Sequence, residues 1–538
     1  MVILAEKEIK LDIKNVELLI LIAFLTVVLV FDARVTIKTP INFGDEGFHT
    51  RIAQWIGQNN DYFAWFPFYT EKDSKDGFGR PPLWNLTEAG FYMIFGFHEI
   101  IGKLLPPIIA FFTGLFVYLL IKELYNKEIG FIASVISVSI PSFVTYSVLL
   151  YTDVMLTFYF CLFVFTLLLS IKKNEKKYFY LSAVFASLAF LTKSPGLTVF
   201  VVLPLIILYE LFEKKQLKNL IKDYSIYILI IFVILAGFFL RSFYYWGTPM
   251  CGLPLPIIGK NDCSVVYFKS ELKFEGRTEQ VGTEVGIFTM GLTNYLNFAY
   301  GKIWFVVFGL ISGIILMLSK RDKFDILILL SLLSIFTILS QTVTLQRAED
   351  TARYTLAWVP IISVVVGKYF VEIYNFTKKH IKDFALVVFA FVLVMSFLSL
   401  KEKTDAMIQV KQFSPMYFQA CDWIKSNVPE DSLLMTVWSS RAVYNCQRNV
   451  VGNIPDISLS TDLNYTLNKT EAYGVTHLFI QKFSLSNEPL SEKYTVSFLQ
   501  FLENNPEHFV NIFENGPKLQ DCLNQGGCDG NIVYEVKY

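Results

Sequence analysis

The sequence has little charge for its length, few cysteines and no excess of either sign. Charged residues make up 17% of the 538 residues, against about 25% in an average soluble protein, so a soluble globule with its polar surface is excluded. A hydrophobic content of 54% with only seven cysteines excludes a disordered chain and a small disulfide scaffold. Basic and acidic residues both number 47, which argues against a nucleic-acid binder because such proteins show a basic excess.

What the chain has instead is long hydrophobic runs, with a mean hydropathy of +0.46 and 51 phenylalanines. A helix that crosses a bilayer needs about 20 mostly apolar residues. Eleven segments meet this description, at residues 16–36, 100–121, 130–150, 154–171, 178–193, 196–212, 224–243, 301–319, 324–344, 354–374 and 383–400. The sequence therefore predicts an α-helical membrane protein with about eleven transmembrane helices.

The short loops between these segments predict the orientation. Nineteen lysines and arginines lie in the N-terminal segment and in alternate loops, whereas the intervening short turns contain almost none. Because basic loops stay in the cytoplasm, we expect a cytoplasmic N-terminus and, with eleven spans, an outward C-terminus. The first span has charges on both flanks and no small-residue cleavage site, so we interpret it as a retained helix rather than a signal peptide.

Three long stretches then fall on the outer side, at residues 37–99, 244–300 and 401–538. We predict a membrane domain over residues 1–400, with 37–99 as its first outer, catalytic loop and 244–300 as its second, followed by a small α/β domain over 401–538. The α/β interpretation depends on two helical runs, at 416–427 and near 491–504, and on three strand-like runs, at 433–437, 477–481 and 532–536.

Cysteine placement agrees with this topology. Six of the seven cysteines lie in outer regions, two in the second loop and four in the tail, as expected for disulfides in an oxidising compartment. Proximity favours the pairs Cys251–Cys263 and Cys522–Cys528, which leaves Cys421 and Cys446. A zinc site formed by the four tail cysteines is the weaker alternative, because no CxxC spacing occurs.

Ionisable residues collect at the outer ends of the predicted spans. Acids (Asp45, Glu46, Asp153) and bases (Arg80, Lys193, Arg353) come from different termini. Each has a simple structural interpretation as a helix cap, a snorkelling side chain or a surface ion pair. Together they predict a site, because bases at the membrane surface can bind a lipid-linked phosphate while a carboxylate acts as general base on an acceptor hydroxyl.

An ordered series of short motifs resembles the membrane glycosyltransferases of the GT-C fold, with protein O-mannosyltransferases and lipid A aminoarabinose transferases as the nearest branch. The motifs are Gly-Asp-Glu at 44–46, Arg-Pro-Pro-Leu at 80–83, Thr-Asp-Val-Met-Leu at 152–156, Leu-Thr-Lys-Ser-Pro-Gly at 191–196 and Arg-Tyr at 353–354. The series covers about residues 15–400. The resemblance implies a GT-C architecture, an outward-facing site and a donor sugar on polyprenyl or dolichyl phosphate.

The same resemblance implies roles for individual residues. Asp45 takes the position of the family's base, with Glu46 beside it as a second catalytic acid. Arg80 stands where the family has a lysine that contacts the donor phosphate, which keeps the charge and changes its geometry. Lys193 and Arg353 are further expected phosphate ligands, and His49, Asp153 and Tyr354 are expected supporting residues.

The predicted activity is therefore transfer of a single sugar, with inversion, to a hydroxyl on a protein, lipid or glycan at the plasma membrane. No cofactor is expected to be required. A second GT-C branch, the oligosaccharyltransferases, carries a Trp-Trp-Asp-Tyr-Gly motif and a divalent metal. The comparable stretch here, Val437-Trp438-Ser439-Ser440-Arg441, lacks the acid and the second tryptophan, although Asp45, Glu46 and His49 remain a conceivable metal cluster.

Two interpretations from other functional classes remain. A secondary transporter would place its charges and broken helices near the bilayer midplane, often with internal repeats, whereas here the charges lie at the outer rim and no repeat is visible. A sensor or assembly scaffold whose tail binds a partner would leave the rim charges without a role.

Overall fold

A computed structural model describes residues 16–59, 81–214, 217–246, 304–335, 353–381, 385–452, 460–486, 494–519, 521–522 and 528–538. Its membrane part begins with α1 (Val16–Lys38), α2 (Glu46–Asn59), α3 (Leu83–Phe95), α4 (Glu99–Leu124), α5 (Lys127–Ser139), α6 (Pro141–Ser147), α7 (Thr152–Lys173) and α8 (Lys176–Thr192). It continues with α9 (Val199–Lys214), α10 (Leu217–Trp246), α11 (Trp304–Lys320), α12 (Lys323–Leu333), α13 (Val359–His380) and α14 (Ala385–Val410). Short 3-10 turns at Ser194–Thr198 and Leu356–Trp358 precede α9 and α13.

Each of the eleven predicted segments contains a helix in its described part. Within the described residues, five stretches are long and apolar enough to cross a membrane, namely Val16–Lys38, Glu99–Leu124, Thr152–Lys173, Lys222–Phe243 and Leu356–His380. Several membrane helices expose large apolar side chains, such as Phe232 and Val233 of α10 and Phe308 of the shorter apolar helix α11. Lipid is the solvent that matches such a surface, so the chain is a multi-pass membrane protein.

The predicted single span at 130–150 is wrong in one respect, because it is broken in two. Helices α5 and α6 meet at an angle of 63°, and the pair makes a sixth span if it is counted as one. Ile140 is extended at φ −61° and ψ 132°, which is the conformation favoured before a proline, and Pro141 has no N–H for the preceding helix to bond.

Close packing of the membrane helices depends on small residues. Gly313 of α11 faces α13 so closely that a Cβ atom there would lie 2.4 Å from the carbonyl oxygen of Val365. Gly114 of α4 approaches α1 in the same way, since a Cβ atom would lie 2.5 Å from Leu25 Cδ2. Backbones that approach this closely pack well without a hydrophobic driving force between the helices.

The soluble domain follows α14, which continues ten residues beyond the predicted boundary at 400. Its elements are α15 (Pro415–Asn427), β1 (Leu433–Thr436), α16 (Ser439–Asn445), β2 (Asn449–Gly452), α17 (Leu463–Tyr473), β3 (His477–Gln481), β4 (Leu485–Ser486), β5 (Tyr494–Thr495), α18 (Val496–Glu503), β6 (Phe509–Asn515) and β7 (Asn531–Val536). The main sheet has the order β2-β1-β3-β7-β6, in which β1 pairs in parallel with β2 and β3, and β7 pairs antiparallel with β3 and β6. The predicted α/β domain is present.

The sheet is buried on both faces. Alternate residues of β1 point to opposite sides, so Leu434 joins one apolar cluster while Leu433 and Met435 join another. The first cluster also contains Phe48 and Ile52 of α2. The soluble domain therefore packs directly on the first-loop helices α2 and α3 and shares a core with them.

Two of the predicted disulfides lie in the described chain. Cys421 is bonded to Cys446, and Cys522 is bonded to Cys528. These pairings remove the tail cysteines from any zinc site. The third predicted pair, Cys251–Cys263, and residues 247–300 of the predicted second outer loop lie outside the described residues.

Candidate active site

Asp45 immediately precedes α2 and is held there by a tyrosine from another helix junction. Its backbone N–H donates to the Tyr151 hydroxyl at 3.0 Å, and that hydroxyl lies 3.3 Å from the carbonyl oxygen of Phe43, to which it donates. Gly44 has a φ of +47°, and a Cβ atom there would lie 1.9 Å from the tyrosine oxygen. Glycine at position 44 is thus required twice, for its backbone conformation and for the space that the tyrosine occupies.

The absence of a side chain at Gly47 allows the soluble domain to pack closely against the start of α2. A Cβ atom on Gly47 would lie 2.3 Å from the carbonyl oxygen of Ser440, which is part of α16. The Ser440 hydroxyl in turn donates to the carbonyl oxygen of Gly44 at 2.8 Å. The loop that carries Asp45 and Glu46 is thus flanked by two glycines. Gly44 makes room for Tyr151 of the membrane domain, and Gly47 makes room for Ser440 of the soluble domain.

Four charged side chains of alternating sign form a continuous chain at this end of the helix bundle. Lys193 Nζ donates to Asp153 Oδ1 at 2.5 Å, and Arg353 Nε donates to Asp153 Oδ2 at 3.1 Å. Arg353 Nη2 then donates to Asp45 Oδ2 at 3.2 Å. The four residues come from the first outer loop, the start of α7, the end of α8 and the segment before α13.

Aromatic rings support both cations. The Arg353 guanidinium lies 4.3 Å from the ring centroid of Tyr151, and Lys193 Nζ lies 4.7 Å from that of Tyr354. Cations over aromatic faces are attracted by the ring quadrupole. Burial, reinforced by the nearby charge of Asp45, raises the pKa of the Tyr151 phenol above its usual range. Tyr151 therefore stays protonated and can donate its hydrogen bond to the carbonyl oxygen of Phe43.

The three carboxylates at this site differ greatly in exposure. The Asp45 side chain is 37% exposed, whereas those of Asp153 and Glu46 are each 1% exposed. The two cations are intermediate, at 13% for Lys193 and 17% for Arg353. Within the part of the chain that the structure describes, Asp45 is therefore the site carboxylate that a second molecule can reach.

Glu46 lies beside Asp45 but faces the protein interior. Its Oε1 accepts from Lys411 Nζ at 2.7 Å and from the Leu150 amide at 3.2 Å. Its Oε2 accepts from the amides of Asn42 and Phe43 at 3.3 and 2.9 Å. This carboxylate is thus an anchor for the loop.

His49 is turned toward α3. Its Nδ1 lies 3.2 Å from Oδ1 of Asn85, and both residues are buried. Two members of the conceivable Asp45–Glu46–His49 metal cluster thus contact other partners, Glu46 contacting Lys411 and His49 contacting Asn85. Among the described residues no group of three His, Cys, Asp or Glu side chains is placed to hold a metal ion.

Arg80, the third predicted phosphate ligand, lies outside the described residues. Of the other predicted residues, the structure joins Asp45, Asp153, Lys193, Arg353 and Tyr354 into one cluster. Sequence reasoning missed Tyr151, Lys411 and Ser440. A tyrosine two residues before Asp153 was a readable signal, whereas nothing in the sequence indicated that Lys411 and Ser440 would contact the Asp45 loop.

Comparison with known proteins adds the following. Residues 79–241 match the family model for dolichyl-phosphate-mannose-protein mannosyltransferases. Among solved structures, ArnT from Cupriavidus metallidurans in the apo state is similar with a TM-score of 0.64 and 10% identity, covering 95% of this chain and 97% of ArnT. The chain has the GT-C fold. The GT-C fold that the sequence resemblance implied is therefore confirmed. The prediction of a membrane glycosyltransferase is also confirmed.

Two further structures of this GT-C group are similar. ArnT from the same organism bound to undecaprenyl phosphate matches with a TM-score of 0.60 and 11% identity, covering 97% of this chain and 98% of ArnT. The Archaeoglobus fulgidus oligosaccharyltransferase in the apo form matches with a TM-score of 0.63 and 12% identity, covering 95% of this chain and 81% of that protein. Curated protein sequences give no match.

Proposed function

We propose that this GT-C protein transfers a single sugar from a polyprenyl or dolichyl phosphate to an acceptor hydroxyl on the outer face of the membrane. The observation that carries the proposal is the exposed Asp45 carboxylate held in an ion pair by Arg353 at one end of the helix bundle. A base that an acceptor can reach thus lies in direct contact with a cation that can bind a phosphate.

In the proposed reaction Asp45 acts as general base. It accepts the proton of the acceptor hydroxyl while that oxygen attacks the anomeric carbon of the donor sugar. The bond between the anomeric carbon and the phosphate oxygen breaks on the opposite side, so the configuration inverts and the lipid phosphate leaves with the bonding electrons. Negative charge that develops on the leaving phosphate needs cations, and Lys193 and Arg353 supply them, together with Arg80 as the resemblance implies.

Asp153 orients the two cations in this scheme. It is almost fully buried and accepts one bond from each of them, so their positions are fixed before the donor arrives. Tyr354 and Tyr151 support the same two cations from beneath. A preorganised pair of charges stabilises the leaving group without rearrangement during the reaction.

The donor class follows from the relatives. ArnT was solved with undecaprenyl phosphate, an archaeal oligosaccharyltransferase with dolichol phosphate and an inhibitory peptide, and the matching family model describes dolichyl-phosphate-mannose enzymes. These similarities support a lipid-linked phosphate as donor and an acceptor that reaches the site from outside the bilayer. The acceptor is a protein, a lipid or a glycan with a free hydroxyl.

Transfer of a complete oligosaccharide is the second candidate, because the oligosaccharyltransferase fold is also similar. One observation from the sequence favours the single sugar. The stretch Trp438–Arg441 lacks the acid and the second tryptophan of the oligosaccharyltransferase motif. The chain also covers 97% of ArnT but only 81% of the oligosaccharyltransferase.

The site and the soluble domain lie at the same end of the bundle, opposite the lysine-rich loops around residues 122–127 and 172–177. The bias of basic residues toward the cytoplasm therefore supports an outward-facing site, and the plasma membrane is the membrane that we propose. This placement disfavours the transporter alternative, which needs charges at the midplane.

Mass spectrometry of surface glycoconjugates from cells with and without the protein tests the proposal. We expect loss of one sugar mass from a defined class of protein, lipid or glycan when the protein is absent. Loss of a whole oligosaccharide would favour the second candidate, and an unchanged glycoconjugate profile would contradict glycosyl transfer.

A further inference from the structure

Lys411 lies at the point where the chain leaves the membrane domain. It follows the last residue of α14 and precedes the first helix of the soluble domain, α15. Its side chain is only 1% exposed. A lysine is rarely buried to this extent unless its charge is paired, so its partners indicate what it does.

The partners of Lys411 belong to two other segments. Its Nζ donates to Glu46 Oε1 at 2.7 Å and to the carbonyl oxygen of Val148 at 3.2 Å. Glu46 itself accepts from the amides of Asn42, Phe43 and Leu150. One buried ion pair therefore ties together the first outer loop, the turn between α6 and α7, and the connector to the soluble domain.

The first outer loop carries the proposed base, and the turn between α6 and α7 holds it in place. Asp45 is adjacent to Glu46 in the chain, and Tyr151 is adjacent to Leu150 and holds the Asp45 amide at 3.0 Å. The soluble domain reaches the same loop at a second point, where Ser440 donates to the carbonyl oxygen of Gly44. Asp45 is thus fixed from both sides by contacts that depend on where the soluble domain is seated.

We propose that Lys411 is a positioning residue, which holds the Asp45 loop in place through Glu46 and makes transfer depend on a correctly seated soluble domain. The proposal rests on the proposed function, in which Asp45 is the base. Lys411 contacts neither donor nor acceptor in this role. Its effect is on the rate of transfer, because displacement of a base by about 1 Å costs on the order of 100-fold in rate.

The kinetic test compares Lys411→Met with Lys411→Arg and Glu46→Gln in the full-length protein. We expect Lys411→Met and Glu46→Gln each to lower kcat on the order of 100-fold while KM for the lipid-linked donor changes little. Lys411→Arg should recover most of the rate because it restores the charge and the donor to Glu46. The double variant should be no slower than either single variant, since both act on one interaction.

Lys482→Met is the matched control. Lys482 is also a fully buried lysine paired with a glutamate, Glu514, at 2.5 Å, but it lies within the soluble domain at the far end of β3. Loss of the Lys482–Glu514 ion pair in this variant should lower thermal stability and leave kcat of the folded protein unchanged. A normal kcat in folded Lys411→Met, or an equal loss in Lys482→Met, would overturn the positioning role.

Amide hydrogen exchange tests the same role without any transfer assay. In Lys411→Met we expect faster exchange at the amides of Asn42, Phe43 and Leu150, which donate to Glu46, and unchanged exchange in β3 and β7 of the soluble domain. Unchanged exchange at those three amides would contradict the proposal. If the unmodified protein transfers no sugar, the proposed function fails while this exchange measurement still decides the role of Lys411.

Discussion

Arg353 and Asp45 are 308 positions apart in the chain, yet Arg353 Nη2 donates to Asp45 Oδ2 at 3.2 Å. The same guanidinium donates through Nε to Asp153 at 3.1 Å. The planar guanidinium of Arg353 therefore sets the distance between the proposed base, Asp45, and the carboxylate of Asp153. Arginine provides this geometry because its donors are rigidly arranged, whereas lysine has a single ammonium group.

Arg353→Lys is expected to reduce transfer on the order of 100-fold, as removal of one preorganised donor does in other enzymes. Because lysine keeps the positive charge, a lower transfer rate would show that the arrangement of the guanidinium donors matters. Assays of kcat and of polyprenyl phosphate binding check this prediction. Arg34→Lys is the control, because Arg34 pairs with Asp405 at an exposed site where the two side chains are 44% and 41% exposed, and exposed pairs contribute little. Equal activity of Arg353→Lys and the native protein would refute the role of the fork.

The fold could be predicted from the sequence because its main signals are local. Apolar runs of about 20 residues mark spans, and the strand runs that become β1, β3 and β7 are short and apolar between polar flanks. The strands β2 and β6 were not predicted, since they are recognisable only from their neighbours in the sheet. The break at Pro141 was missed because apolar content alone does not show a change in direction.

The site could be predicted only in part. Ionisable residues at outer span ends were conspicuous because so few charges occur near apolar segments, and this identified Asp45, Asp153, Lys193 and Arg353. Glu46 was grouped with Asp45 as a catalytic residue, and its burial against Lys411 instead supports the anchoring role proposed above. Which of two adjacent acids faces inward depends on tertiary contacts that no local pattern encodes.

Glu88 predicts a pH dependence of stability. Burial raises the pKa of this α3 carboxyl from its ordinary value of 4.5 to about 8, and Tyr92 donates to it at 3.3 Å. The folded state therefore binds the proton more tightly than the unfolded state, so stability falls as pH rises from 4.5 toward 8, by about 1.4 kcal/mol per pH unit.

Glu88→Gln should remove this loss, because glutamine carries no charge at any of these pH values. We expect the melting temperature of the native protein in detergent to fall relative to that of the variant between about pH 5 and pH 8. A constant difference in melting temperature across this range would show that Glu88 ionises at its ordinary pKa.

The two described disulfides should differ in their contribution to stability. Cys421–Cys446 closes a segment with a sequence separation of 25, and Cys522–Cys528 one of 6. A longer closed loop restricts the unfolded chain more, so we expect losses of about 3 and about 2 kcal/mol on replacing each pair by serines. Because Cys446 directly follows α16, which carries Ser440, only removal of Cys421–Cys446 should also slow transfer. Equal effects of the two replacements on transfer would contradict this link.

Topology predicts opposite labelling of two introduced cysteines. Asn468 lies exposed on α17 of the soluble domain. Lys177, whose side chain is 68% exposed, lies in the first turn of α8 at the other, lysine-rich end of the bundle. In intact cells an impermeant thiol reagent should label Asn468→Cys above the background of the native protein. Lys177→Cys should be labelled only after lysis. The reverse pattern would invert the proposed orientation.

The central claim is that Asp45 is the base for sugar transfer, and Asp45→Asn tests it most directly. Asparagine has nearly the same shape but cannot accept the proton of the acceptor hydroxyl. With purified protein and a polyprenyl-phosphate-linked sugar, we expect kcat to fall at least on the order of 100-fold, with unchanged thermal stability and retained donor binding. Normal turnover by folded Asp45→Asn would contradict the account.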